Sequence, residues 1–419
     1  MAFVVIVLGL CSILWQFVCL RELHTTFLGN ELSLSIILFC WLAGLSIGGF
    51  LSKYCLGRQQ ALPSPSGNQR GLSRVLLSVL FLNALLCLFS LFLSRGLKLF
   101  LRISPFELLL PLQILFIACL ATIPQTIGMG LSFIIVCAII KNPLRAYYQE
   151  ALGAFLAGLL SLVVVKYCTS TEILWFTSCL FLLACLSIKP KSAPLRATII
   201  LTLLCALLLP SSGLLGKFEN YTNGLRYRPQ ALATSLNSIY ATIAITRTGQ
   251  HYNLYENGKL SFSTEDTEAL EEFAHLILLH HPQPKKVLLI GGGASGLLAE
   301  ILKHPVEKID YVEPDTKLMQ AAAAYIPQAY AYGLADTRVH HYHLDARFFI
   351  KTTKNKYDCI VVNAGDPSNL QQNRFFTLEF FHEIKKILLP DGIFSLAISS
   401  KEDILKGEML KYDASLYKT

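Results

Sequence analysis

The 419-residue chain is long enough for two or three domains, and with 15% charged residues and a mean hydropathy of +0.50 it is too apolar for an ordinary soluble protein. Its formal charge of +8 belongs to one end: residues 1–216 hold 14 Lys/Arg against 5 Asp/Glu, and residues 217–419 hold 22 against 23. The second half therefore has no basic excess with which to neutralise phosphates, which argues against nucleic acid as a partner, whereas basic loops in an apolar half fit the flanks of membrane spans.

Apolar runs occupy residues 2–20, 33–52, 75–94, 105–122, 125–140, 149–165, 171–188 and 197–215. A span needs roughly 20 apolar residues, so residues 1–216 are predicted to form a polytopic α-helical domain in a lipid bilayer, with seven or eight spans. The first run lacks a charged leader and a small-residue cleavage site and reads as a span rather than a signal peptide. The count turns on residues 105–140, which as one helix would reach about 54 Å; Pro124 offers a break that would make two spans of them. Eleven of the 12 cysteines precede residue 206, without a C-x-x-C pair, and read as small apolar packing residues. Glu22, Glu31 and Glu150 lie near the predicted spans. They are expected either to cap span ends or to line a path for a proton or cation.

Residues 217–266 are predicted to form a small antiparallel β unit. Ile239 to Thr246 is β-rich, Tyr252 to Tyr255 follows the turn at Thr248-Gly249-Gln250, and Asn257-Gly258 is a strong hairpin signal before Leu260-Ser261-Phe262. From Thr267 to His280 the period is helical. The pattern then changes to βαβ over residues 267–419, a Rossmann-like domain of the adenosyl-nucleotide type. The strand Lys286 to Ile290 runs into Gly291-Gly292-Gly293-Ala294-Ser295-Gly296, and a helix begins at Leu297. Gly291, Gly293 and Gly296 satisfy G-x-G-x-x-G in the required strand–turn–helix setting, where glycines permit a tight turn and let a nucleotide approach the backbone. A second strand, Ile309 to Val312, ends at Glu313, where an acid can accept hydrogen bonds from both ribose hydroxyls.

A third strand, Val339 to Leu344, ends at Asp345, an acid placed for an adenine amino group. The fourth, Tyr357 to Val362, ends at Asn363-Ala364-Gly365-Asp366-Pro367. Phe375 to Leu389 reads as helix, and Pro390-Asp391-Gly392 turns into a fifth strand over Ile393 to Ile398. Ligands of such sheets bind outside the carboxyl ends of the strands, where all these residues fall. His341 and His343 share a strand face that His340 does not, and no second ligand cluster accompanies them, so no metal is expected.

In this order the motifs resemble those of spermidine synthases, the polyamine aminopropyltransferases, and more closely those of their membrane-fused relatives. The resemblance rests on Tyr255-Glu256-Asn257-Gly258, His280-His281-Pro282, Val287 through Gly293, Leu302-Lys303-His304-Pro305 and Tyr311-Val312-Glu313. Asp345-Ala346-Arg347 and Asp366-Pro367 followed by Asn373-Arg374-Phe375-Phe376 complete it.

The resemblance implies transfer of an aminopropyl group from decarboxylated S-adenosylmethionine to a polyamine or other amine. Gly291, Gly292, Gly293, Gly296, Glu313, Asp345 and Ala346 would then hold the nucleotide, with Glu313 on the ribose and Asp345 on the adenine. The family's base stands at the end of the fourth strand, where this chain has Asn363; an amide can position an amine but cannot take its proton. Asp366 is the nearby acid, and Glu271 and Glu272 are candidates to hold a cationic amine. Ala294 stands where the soluble enzymes commonly place an acid.

Two other readings stay open. One is a methyltransferase using S-adenosylmethionine. The other is a non-catalytic nucleotide or polyamine sensor coupled to membrane transport. The Rossmann-like domain is expected on the cytoplasmic side of an inner or plasma membrane, where such nucleotides are made, and a homo-oligomer is compatible with the sequence. The fold ordinarily continues past its fifth strand, so the domain is also expected to be C-terminally truncated at Thr419.

Overall fold

The computed structural model describes residues 1–60, 65–326, 332–367 and 369–398. Contacts divide the chain into Met1–Thr242 with Asn257–Lys259, and Ile243–Glu256 with Leu260–Thr419.

The first unit is built from helices α1 (Ala2–Thr26), α2 (Glu31–Gln60), α3 (Pro65–Phe100), α4 (Pro111–Ile140), α5 (Pro143–Tyr167), α6 (Ser170–Ser187), α7 (Ala193–Leu208) and α8 (Leu214–Tyr227), followed by strand β1 (Ala231–Asn237). Among the described residues six helices are long and apolar enough to cross a membrane, and α7, at 16 residues, is shorter than these. Of the two readings of residues 105–140, a hairpin or a single helix, the single helix is the one seen. The two runs on either side of Pro124 are one continuous helix: α4 opens at Pro111, and Pro124 sits inside it without ending it. The start of the stretch expected to form the β unit, from residue 217, is helical instead: α8 buries Leu215, Glu219, Thr222 and Leu225 along one side.

Helices α1 and α5 cross at backbone contact. A Cβ built on Gly153 would lie 2.0 Å from the Ile6 carbonyl oxygen, and one on Gly9 would lie 2.0 Å from that of Glu150. Glycine at these positions lets the two helices approach without side chains between them. Glu150 consequently sits inside α5, which begins at Pro143, and not at a helix start as the sequence reading had it. Glu22 is not at a solvated span end either; it is 3% exposed and tied into a polar network. Arg95 donates to Glu22 through Nε and Nη2, both at 2.8 Å, and to Glu219 through Nη1 and Nη2, both at 2.9 Å. The hydroxyl of Thr222 takes a further bond from Arg95 Nη1 at 2.7 Å, and Arg226 Nη2 reaches Glu22 at 2.6 Å. Ser170 donates to Glu22 and Thr171 to Glu219.

In the second unit β2 (Thr242–Thr248) pairs antiparallel with β3 (His251–Glu256), from Ile243 opposite Glu256 to Thr248 opposite His251. Strand β4 (Lys259–Ser263) follows through Asn257 and Gly258, both at positive φ (49° and 80°), as a two-residue hairpin turn of the primed type requires. Helix α9 (Thr267–Leu279) leads to a five-stranded parallel sheet of β5 (Lys286–Ile290), β6 (Lys308–Val312), β7 (Val339–Tyr342), β8 (Tyr357–Val362) and β9 (Leu388–Leu396), in the order β7-β6-β5-β8-β9.

Both sheet faces are covered. Val287 and Leu289 pack towards α9 and α10 (Leu297–Ile301), whereas Leu288 and Ile290 pack towards the helices Ala346–Thr352 and Leu378–Ile387. Strand β9 begins at Leu388, earlier than its pattern indicates. Tyr357 faces Leu388 and Cys359 faces Ile393, so Pro390-Asp391-Gly392 bulge out of the strand instead of preceding it.

A Gly153→Leu chain is expected to lose about 3 kcal/mol or more by forcing α1 and α5 apart. Gly158→Leu, at a position where a Cβ meets nothing within 4 Å, should melt like the parent. Thermal unfolding of both in detergent checks this.

Candidate functional site

Two strands of the parallel sheet, β5 and β8, end side by side at its centre. Their connections leave in opposite directions, which opens a crevice at the carboxyl edge. The ladder continues one residue past each strand: Asn363 N donates to Ile290 O at 2.9 Å, and Gly291 N donates to Val312 O at 3.1 Å. Beyond this point the glycine loop is pressed from two directions. A Cβ on Gly292 would lie 2.4 Å from Asn363 Nδ2, and one on Gly293 would lie 2.3 Å from the Tyr311 ring. Gly291, Gly292 and Gly296 all have positive φ (69°, 70° and 96°). The loop therefore needs glycine both for its turn and for the space taken by its neighbours. Residues Gly293–Ser295 form a 3₁₀ turn directly before α10, and Ala294 within it is buried.

Glu313 follows β6, with its own N–H on Tyr342 O at 3.1 Å. One of its carboxylate oxygens accepts from Asp315 N at 3.0 Å. Burial pushes this carboxyl up to about 8; the Asp315 N–H opposes that shift, and the charges of Glu256 and Asp315 add to it. Glu256, at the end of β3, is raised as well, chiefly by burial, although Ser261 Oγ donates to it at 2.7 Å. Two mutually repelling carboxylates thus serve the same region. Sequence reasoning used Glu256 only as part of a hairpin motif, since nothing local marks a strand-end glutamate as a neighbour of a residue 57 positions away.

Asp345 stands beyond β7, two strands from β5. It caps the helix Ala346–Thr352 by accepting from Phe348 N at 3.1 Å, and it pairs with Arg374. Burial raises its carboxyl, but the Arg374 and Phe348 hydrogen bonds and the Arg374 charge outweigh this and hold it below the ordinary aspartate value. Arg374 is a partner that the sequence showed only as one residue of a motif. It is positioned through Arg347, which donates to Arg374 O at 3.1 Å and to Glu383 at 2.7 and 3.0 Å. Ala346 is buried behind Asp345.

Asp366 is half-buried in the loop that Asn363 begins. Of the acids considered for an amine, Glu271 lies 3.6 Å from Lys303, and Glu272 is exposed. Among the described residues no group of three or more His, Cys, Asp or Glu side chains is arranged to hold a metal ion. His341 Nε2 is engaged with Leu334 O at 2.8 Å.

The arrangement is a crevice with a glycine loop at one strand end and an acid at each of the next two. Residues 268–412 match the family model described as the spermine/spermidine synthase domain. Over 162 residues it is 36% identical to polyamine aminopropyltransferase 2 of Aquifex aeolicus, covering 37% of this chain and 32% of that one. Over 139 residues it is 38% identical to the polyamine aminopropyltransferase of Lachnospira eligens, covering 33% and 48%. A spermidine synthase solved in complex with the transition state analogue AdoDATO is similar at 31% identity and a TM-score of 0.37, over 39% of this chain and 57% of that one. The chain spans between a third and a half of the length of these two curated relatives.

The raised Glu313 carboxyl of the synthase domain gives a signed expectation. Its folded value of about 8 lies above the ordinary 4.5, so the folded state holds the extra proton between these values and stability falls as pH rises through that window. Glu313→Gln removes this slope. The variant should match the parent near pH 4.5 and melt higher than it at pH 8–9 without nucleotide; parallel melting curves at both pH values would contradict the assignment.

Proposed function

We propose that this chain is a membrane-anchored aminopropyltransferase-like enzyme, with decarboxylated S-adenosylmethionine as donor substrate and a polyamine or related amine as acceptor. The observation that carries the reading is the coincidence of the synthase-domain match with a crevice at the meeting of β5 and β8, where Asn363 abuts the glycine loop. In this reading Gly291, Gly292, Gly293 and Gly296 lie along the nucleotide backbone. Glu313 faces the ribose hydroxyls, and Asp345 with Ala346 faces the adenine.

The acceptor amine attacks the donor's propyl carbon beside the sulfonium. A C–N bond forms, the C–S bond breaks, its electron pair returns to sulfur, and methylthioadenosine leaves. The attacking nitrogen must then shed a proton. The Asn363 amide can orient an amine through its oxygen but has no basic site for that proton, which falls to Asp366 three residues on.

The bilayer half of the proposal rests on six helices of sufficient length and on the large apolar side chains they leave exposed, such as Phe39 at 61%, Leu112 at 75% and Leu162 at 77%. Resistance of the chain to alkaline extraction from membranes is the expected result. A cytoplasmic position for the synthase domain follows from where its donor is made.

Calorimetric titration of the detergent-purified chain with decarboxylated S-adenosylmethionine, S-adenosylmethionine and methylthioadenosine tests the donor. Preference for the first and third, with methylthioadenosine released on adding an amine, is expected. Preference for S-adenosylmethionine would move the reading to methyl transfer, and binding of none would end it. Asp366→Asn should lower turnover by about 10²–10⁴-fold, and Asn363→Asp should raise it. The packing of Asn363 against Gly292 also favours a second reading, a nucleotide or polyamine sensor coupled to transport; nucleotide binding without turnover in both the parent and Asn363→Asp would select it.

A further inference from the structure

The network around Arg95 holds more cations than carboxylates. All five N–H donors of Arg95 are used, on Glu22, Glu219 and Thr222. Arg226 shares Glu22 with it, and Arg21 joins them through Ser170, so three guanidinium groups meet two carboxylates. Lys98, one turn along α3 from Arg95, is 5% exposed and holds only the carbonyl oxygens of Pro105 and Glu107, both at 3.0 Å. The Glu107 side chain itself is exposed. A buried ammonium surrounded by neutral acceptors is costly unless a counter-charge is near.

A small cavity of about 10 Å³ lies at this place, roughly the room one water-sized species needs. Its polar lining is Thr25 and Thr26 of α1, Arg95 and Lys98 of α3, and Arg226 and Tyr227 of α8, with no acid among the lining residues. Arg226 is 7% exposed, and its Nε is buried without a hydrogen-bond acceptor. Three cationic side chains therefore converge on a space the size of a monatomic ion, and one of them has a donor to spare.

We propose that this cavity is a binding site for a small inorganic anion of the halide class, held by Arg226 Nε and the Lys98 ammonium; the hydroxyls of Thr25 and Thr26 line it but donate to the carbonyl oxygens of Arg21, Glu22 and Ser94. The anion supplies the charge that Glu22 and Glu219 leave unmet, and it ties the ends of α1, α3 and α8 together. The site is independent of the aminopropyl reading; its lining, which includes Gly258, lies within the unit of Met1–Thr242 and Asn257–Lys259.

The test is thermal unfolding of the full chain in detergent, exchanging gluconate for bromide or chloride at constant ionic strength. A saturable rise of about 2 °C or more is expected, and Lys98→Gln or Arg226→Gln should abolish the halide dependence whatever the absolute stability of the variant. Phosphate in place of halide distinguishes a larger oxyanion or lipid headgroup; stabilisation by phosphate alone would overturn the halide assignment. Should a variant fail to fold, the anomalous signal of bromide in crystals of the parent decides: a peak in contact with Arg226 Nε supports the site. No peak together with halide-independent melting would sink it.

Discussion

The site depends on one constraint, the side-by-side ending of β5 and β8. A parallel sheet cannot return its chain by a hairpin, so each strand must leave over one face or the other. Where neighbouring connections diverge, the sheet edge is left uncovered. At that edge the backbone of Gly291 to Gly293 lies between the Asn363 amide and the Tyr311 ring with no room for a β-carbon at Gly292 or Gly293. The same crowding that demands glycine also fixes Asn363 against the loop.

The acids around that edge are held differently, and the difference bears on their use. Asp345 is committed to Arg374 and to a helix N-terminus, which keeps it ionised and oriented. Glu313 takes a backbone N–H and otherwise faces burial and the charge of Glu256. A carboxylate in that setting gains from hydroxyl donors brought by a ligand, which suits contact with a ribose. Its ionisation, and with it the strength of such contacts, lies near neutral pH.

The helical unit answers a different requirement. Its surface is apolar, so its specificity must come from close backbone contact and from buried polar groups. Gly9 and Gly153 provide the first between α1 and α5. Arg95 provides the second by joining α1, α3 and α8 through carboxylates far apart in sequence. Truncating one member of such a network leaves its partner charged and buried, so its members are expected to act as a unit.

Much of this was legible in the sequence because it is local. The alternation of strands and helices, the glycine loop before Leu297, the turn at Asn257-Gly258 and the acids at strand ends follow from periodicity and turn chemistry over short stretches. Strand β5 lies where its apolar run places it, from Lys286 to Ile290. What tertiary structure alone decided are relations between distant residues. Pro124 stays within α4 because a long helix packed on its neighbours tolerates one missing N–H, which no local rule weighs. Glu22, which the sequence offered as a span-end cap or part of an ion path, is bound by Arg95 and Arg226, residues 73 and 204 positions away. Arg374 on Asp345 and Glu256 beside Glu313 are likewise products of the fold. Charge pairing acts through space, and a single sequence records only the order in which the charges are strung.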